Sequence, residues 1–351
     1  MHVPDGFIDA PVSIAAGVAA AGAVAVSLRG ARRELEDSAA PLAGLVAAFI
    51  FAVQMLNFPV AAGTSGHLLG GALAAILVGP YTGVLCVSVV LLMQGVLFAD
   101  GGLTALGVNV MNMAVVTVLV AYAVFRGLVK VLPKTRRSVT AAAFTGALVS
   151  VPGAAVMFTL FYALGGTTDV PLAKVFTAMV GVHVLIGIGE AVITAATVGA
   201  VLAVRPDLVH GARGLSTPLK LRVGGELVDA PAAAPAAPVS GPRSTKPVWI
   251  TGLVTALVLA GFVSYYASAS PDGLEKVAAD KGIDQNEREH AAANSPLADY
   301  SVKDVADTRL SGGLAGVIGV GATVAVGTGI FWSVRRRRAE DLTATSTSAA
   351  G

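Results

Sequence analysis

Charge is what this chain has least of. Only 13% of its 351 residues are Asp, Glu, Lys or Arg, about half the share in a soluble domain. The deficit is concentrated in long uncharged stretches, 55% of the chain is hydrophobic and mean hydropathy is +0.75. A soluble globular protein is excluded, and a polytopic membrane protein is indicated. A formal net charge of +2 excludes nucleic acid as a partner. Cysteine is nearly absent too: Cys86 stands alone in an apolar run. There is no intramolecular disulfide framework and no thiolate metal cluster, and Cys86 reads as packing. No GxxxxGK[ST] phosphate loop occurs, so this chain is not expected to bind ATP and any energy must come from other chains. Finally, no Lys or Arg precedes the first apolar stretch, the first being Arg29. A secretory signal has its positive charge before the apolar core. The expectation is an uncleaved first helix with Met1 outside.

What is present in abundance is apolar length. Spans of membrane-crossing character fall near 12–28, 41–58, 67–79, 81–98, 103–125, 139–163, 174–203, 248–267 and 311–334. The expected fold class is an all-α polytopic membrane protein, a seven-helix bundle followed by a two-helix C-terminal membrane unit. With the N-terminus outside, 18 of the 24 Lys and Arg residues fall in cytoplasmic segments, as the positive-inside rule requires. The C-terminus is then cytoplasmic, in a bacterial cell membrane. Residues 1–205 form the first unit and 206–246 a cytoplasmic linker, whose core APAAAPAAPVSGP is Pro- and Ala-rich and semi-rigid. Residues 247–338 form the two-helix unit, with an acidic external loop over 268–310, and 339–351 a disordered tail. Abundant Gly and Ala in the spans (41 glycines in all) permit close helix packing.

Chemistry concentrates in four segments. The chain opens Met1-His2-Val3-Pro4-Asp5-Gly6. A free amine followed by histidine offers the Met1 amine, the His2 amide if deprotonated and the His2 imidazole, in fused chelate rings. One more imidazole completes a planar nitrogen site suited to Ni(II) or Cu(II), which Co(II) can use with less geometric preference. Methionine is retained because aminopeptidases trim it poorly before a large residue. Pro4-Asp5-Gly6 is turn-forming and can fold the terminus back. The expected fourth donor is His67, in GTSGHLLGG at the outer start of the third span. Gln94 and Asp100 lie in MQGVLFADGG, and Asn109 and Asn112, three apart on one helix face, in GVNVMNM. Polar groups inside spans are costly and face inward; the asparagines either orient the ligating imidazoles or join helices. His183 and Glu190 share a stripe of the seventh span and read as structural or coupling residues. A competing function, an intramembrane metal-dependent enzyme using His67, His183 and Glu190, lacks any HExxH pair. His210 and His290 lie in polar segments and are expected to be solvated.

MHVPDGF, GHLLGG, QGVLFADGGLTALGVNVMNM and GVHVLIGIGEAVIT, in that order, closely resemble the CbiM/NikM family over residues 1–205. Members are substrate-specific subunits of energy-coupling-factor importers for cobalt and nickel. The resemblance implies that Met1, His2 and His67 hold Co2+ or Ni2+ as transported substrate. Pro271-Asp272-Gly273-Leu274-Glu275 resembles the PDGLE-type CbiN/NikN components. A fused M–N protein is implied, working with a CbiQ/NikQ-like coupling subunit and CbiO/NikO-like ATPase subunits. The basic loop 126–138 is a candidate contact for those subunits or for anionic lipid.

Overall fold

The computed structural model describes residues 1–35, 39–61, 63–213, 220–223, 226–229 and 244–349. Helix α1 (Ala10–Glu34) starts where Asp9 caps it, accepting from Val12 N, with Pro11 in its first turn, and it ends on Arg32 and Arg33. Both ends suit the helix dipole. Helix α2 (Ala39–Gln54) leads to an antiparallel hairpin, β1 (Phe58–Ala61) with β2 (Thr64–Gly66). Helix α3 (Gly71–Val78) and α4 (Pro80–Leu97) meet at Gly79, which takes φ +101°. The Glu34 carboxylate caps α4 from α1, accepting from Tyr81 N and from the Thr82 amide and hydroxyl. Helix α5 (Leu106–Val131) carries a π-helical stretch at Val110–Val116. Two long helices, α6 (Arg136–Gly165) and α7 (Leu172–Val204), complete the first unit and pack on each other.

The second unit is α8 (Lys246–Gly261), the short helix α9 (Gly273–Lys281) and α10 (Thr308–Ala349). Helices α8 and α10 pack against α2. They cross where a Cβ at Gly316 would strike the Ala260 carbonyl, the close approach that small residues allow in lipid. The two units share one core, in which Phe51 and Phe98 stack around Tyr300. The mainly helical membrane architecture agrees with the expected fold class, and among the described residues seven helices are long and apolar enough to cross a membrane.

Three details differ from expectation. The span anticipated at 67–79 is helical only from Gly71 to Val78. His67–Gly70 enters the bundle without helical structure, behind the β1–β2 hairpin. The last helix continues through Ala349, where a disordered tail is expected. In the linker, turns at Pro206–Leu208 and His210–Ala212 are followed by a hairpin, β3 (Lys220–Val223) with β4 (Glu226–Asp229). Its Pro- and Ala-rich core, 230–242, lies outside the described residues.

Candidate metal centre

The N-terminus is inside the protein. Met1 is 2% exposed, Val3 0%, His2 9% and His67 5%. A buried strand-like terminus needs partners for its amides, and Asn109 supplies them: its Oδ1 accepts from Val3 N at 2.7 Å and its Nδ2 donates to Val3 O at 3.1 Å. Gly102 N donates to the same carbonyl. Asp5 turns the chain, its carboxylate accepting from Leu103 N and from the Thr104 amide and hydroxyl. Gly101 sits at φ +81°, and a Cβ on Gly102 would run into the Asp5 amide. Gly102→Ala should therefore push the terminus out of its groove at an overpacking cost of about 1–3 kcal/mol. Faster aminopeptidase removal of Met1 from the variant than from the parent protein checks this; equal rates would show that the groove tolerates the methyl group.

The donors converge. Met1 N lies 2.7 Å from His67 Nε2. His67 Nδ1 faces the Leu68 carbonyl at 3.0 Å, which leaves the Nε2 lone pair toward the amine. The His2 and His67 rings stack with centroids 5.2 Å apart. His2 is clamped on its far side, Nε2 lying 3.1 Å from Gln94 Oε1 and Nδ1 3.2 Å from Asp100 Oδ1. Both ring nitrogens thus face oxygen acceptors, and a neutral ring donates to only one of them. The tautomer that donates from Nε2 to Gln94 is the one whose Nδ1 could close a chelate with the backbone amide, in exchange for its contact with Asp100. Tyr300, from the second unit, joins the clamp, accepting from Gln94 Nε2 and donating to Asp100 Oδ2 at 2.6 Å. Burial, with Asp100 alongside, holds the Tyr300 phenol well above its ordinary value, so it stays a donor. Burial also lowers the His2 imidazole to about 4, opposed by the Asp100 carboxylate and reinforced by the ammonium.

One close residue is absent from the sequence-derived set. Asp272 Oδ2 accepts from the Met1 ammonium at 2.5 Å and lies 3.5 Å from His67 Nε2. Burial alone would raise this carboxyl, but the ammonium and His67 hold it well below the usual carboxylate range. Among the described residues, His2, His67 and Asp272 are the one His/Cys/Asp/Glu set close enough to share an ion. The signal was legible in part. Asp272 stands in the acidic loop assigned to the same membrane face as Met1, and a buried ammonium requires an anion. Beside the centre lies a cavity of about 810 Å3, lined by His2 and His67 and by Asp100, Asp272, Glu275 and Glu289.

The remaining candidates have other work. Asn109 orients the terminal backbone rather than an imidazole, and Asn112, fully buried, has no hydrogen-bond partner among the described residues. His183 and Glu190 do not bond each other. His183 Nδ1 donates to Met179 O while its Nε2 has no partner among the described residues. Glu190 accepts from Leu69 N at 2.6 Å and Gly70 N at 3.1 Å, and Gln54 Nε2 donates to Leu69 O. Non-helical backbone at membrane depth persists only where protein groups satisfy it, and these two side chains do so behind His67. The set His67, His183 and Glu190 thus forms no shared metal site. His290 is not freely solvated either: it is partly buried, with Nε2 3.1 Å from Gly101 O, and His210, also partly buried, lies by the Tyr122 ring. Cys86 is buried and donates to Ala43 O.

Comparison with known proteins supplies a context. The family described as "cobalt uptake substrate-specific transmembrane region" matches residues 2–208, and the PDGLE domain matches 246–336. A putative fused nickel transport protein of Archaeoglobus fulgidus is 41% identical over 215 residues, 60% of this chain and 68% of that protein. The fused nickel transport protein of Rhodobacter capsulatus is 37% identical over 233 residues, 62% of this chain and 66% of its own length. A cobalt transport protein of Sorangium cellulosum is 33% identical over 193 residues, 53% of this chain and 84% of that one. Among solved structures, a truncated transition metal transporter superposes with a TM-score of 0.51 at 28% identity, covering 58% of this chain and 99% of that one.

Proposed function

Because this chain belongs to the cobalt uptake substrate-specific transmembrane family, we infer that it is the substrate-capture subunit of an importer for Ni2+ or Co2+. The ion is taken from outside by the Met1 amine, the His2 amide and imidazole, and the His67 imidazole. One observation carries the reading: a buried N-terminal amine 2.7 Å from an imidazole nitrogen, at the head of a chain whose second residue is histidine. Relatives named for nickel and for cobalt transport support both ions as substrates. A planar nitrogen set leans toward nickel. ATP-driven reorientation falls to a CbiQ/NikQ-like membrane subunit and CbiO/NikO-like ATPases on other chains. The N-terminus faces outward and the C-terminus the cytoplasm, on the strength of the Lys and Arg bias. An intramembrane enzyme is not retained, since the relatives compared are metal transport proteins.

Coordination needs lone pairs for which protons compete, so binding releases protons and weakens on acidification. His2 stays neutral down to about 4. Affinity should fall between about pH 7.5 and pH 5. Titrating the purified chain with Ni2+ and Co2+ should show at least a tenfold loss over that range. A pH-indicator dye should count about two protons released at the upper pH, from the ammonium and the His2 amide. Identical affinity at both pH values would rule this donor set out.

A further inference from the structure

We propose that Asp272, from the second unit, is an oxygen ligand of the transported ion. It moves from the Met1 ammonium onto the metal as the fifth donor above the nitrogen set. The proposal rests on the terminal-amine site described above.

Three features carry it. The first is distance. Met1 N, His67 Nε2 and Asp272 Oδ2 are separated by 2.5, 2.7 and 3.5 Å, and such a triangle admits one ion at about 2 Å from all three, an ordinary metal–nitrogen or metal–oxygen length. Asp100 does not join it. Its Oδ1 faces His2 Nδ1, its Oδ2 is engaged by Tyr300, and its side chain is 27% exposed.

The second is orientation. The two Asp272 oxygens divide their tasks: Oδ1 caps α9, accepting from Leu274 N and Glu275 N, and Oδ2 faces the amine. Glu275 closes a capping box on the Asp272 amide. Ser65 N and the Ser65 hydroxyl both donate to Pro271 O, fastening the loop two residues from His67. The carboxylate is thus fixed by helix start and hairpin before any ion arrives, as a preorganised donor must be.

The third is charge. Asp272 is 7% exposed, and an uncompensated charge there is strongly unfavourable. Empty, the site pairs one ammonium with one carboxylate and is neutral. On loading, the ammonium proton and the His2 amide proton leave and one divalent ion enters. Amine and imidazoles are neutral and the amide carries one negative charge, so the nitrogen set with its ion retains one positive charge. Asp272 cancels it. Loading exchanges two protons for one divalent ion and so leaves the net charge unchanged; with this carboxylate the buried centre is neutral in both states, and without it the centre carries one uncompensated positive charge in both.

The test uses the full chain loaded with Co2+, X-ray absorption to count donors, and equilibrium titration. Asp272→Asn keeps the capping oxygen, since Asn is also a good cap, but removes the charge. Expected are four nitrogen donors and one oxygen in the parent, loss of the oxygen in the variant, and a ten- to hundredfold weaker Kd. Asp280→Asn, the same loss of charge at an exposed position of α9, should keep all five donors. The same donor set in parent and Asp272→Asn, with unchanged Kd, overturns the proposal. Failure of the underlying site reads differently: a chain with one alanine inserted between Met1 and His2 would then still hold its ion.

Discussion

An alanine inserted between Met1 and His2 should abolish high-affinity metal binding while leaving every helix in place. The insertion breaks the run of amine, first amide and imidazole on which the chelate depends. It also has nowhere to go: Val3 is fixed at both N and O by Asn109, and the residue before His2 is already buried against His67. Either the amine leaves His67 and Asp272, or His2 leaves Gln94. Even the loss of a group one shell outside a metal costs roughly ten- to a hundredfold in affinity, so loss of donors themselves should exceed a hundredfold. Metal content after purification and Kd by calorimetry measure it, with circular dichroism as the check on helices. His67→Ala removes one donor and leaves the terminus intact, so its loss should be smaller. Binding equal to the parent in both variants would move the search to His183.

The second large effect is expected at a residue that is not itself a donor. Glu190→Ala strips the acceptors from Leu69 N and Gly70 N, deep in the bundle where water does not replace them. Each orphaned buried donor costs about 1–3 kcal/mol, so the fold should lose roughly 2–6 kcal/mol. Leu69 and Gly70 lie two and three residues after His67, so the imidazole should lose its position as well. The expected result is a lower unfolding midpoint in detergent together with weaker Ni2+ and Co2+ binding. Glu190→Gln, which retains one acceptor oxygen, should fall between parent and Ala. An unchanged midpoint in Glu190→Ala would mean that the carboxylate is not what holds this backbone.

That role explains why the His67 region was only half legible. Apolar runs announce helices well, and each anticipated span contains one. Composition cannot say, however, that Leu68 to Gly70 is non-helical, because the backbone there is held by Glu190, 121 positions from Leu69, and by Gln54. Phe58–Ala61 reads as the end of an apolar run and is instead an edge of a hairpin. The site divides in the same way. Met1 and His2 were readable because adjacent residues form the chelate, and His67 because a histidine among glycines on the same face stands out. Asp272 was readable only as part of the PDGLE motif in an acidic external loop, since nothing local ties it to an amine 271 positions earlier. Asn109 was identified as polar and inward, but its target, a backbone rather than a ring, depends on where the terminus inserts.

The ion pair between Met1 and Asp272 also sets a clock. Chains are made at about 5–20 residues per second, and the two partners are 271 positions apart. The amine is therefore the first group synthesised, yet it waits on the order of 15–50 s for its carboxylate. Throughout that interval the ammonium lacks the carboxylate it pairs with in the finished chain. If Asp272 completes the centre, a nascent or truncated chain holds metal through its nitrogen donors alone and therefore more weakly. Tight capture becomes a property of the finished polypeptide.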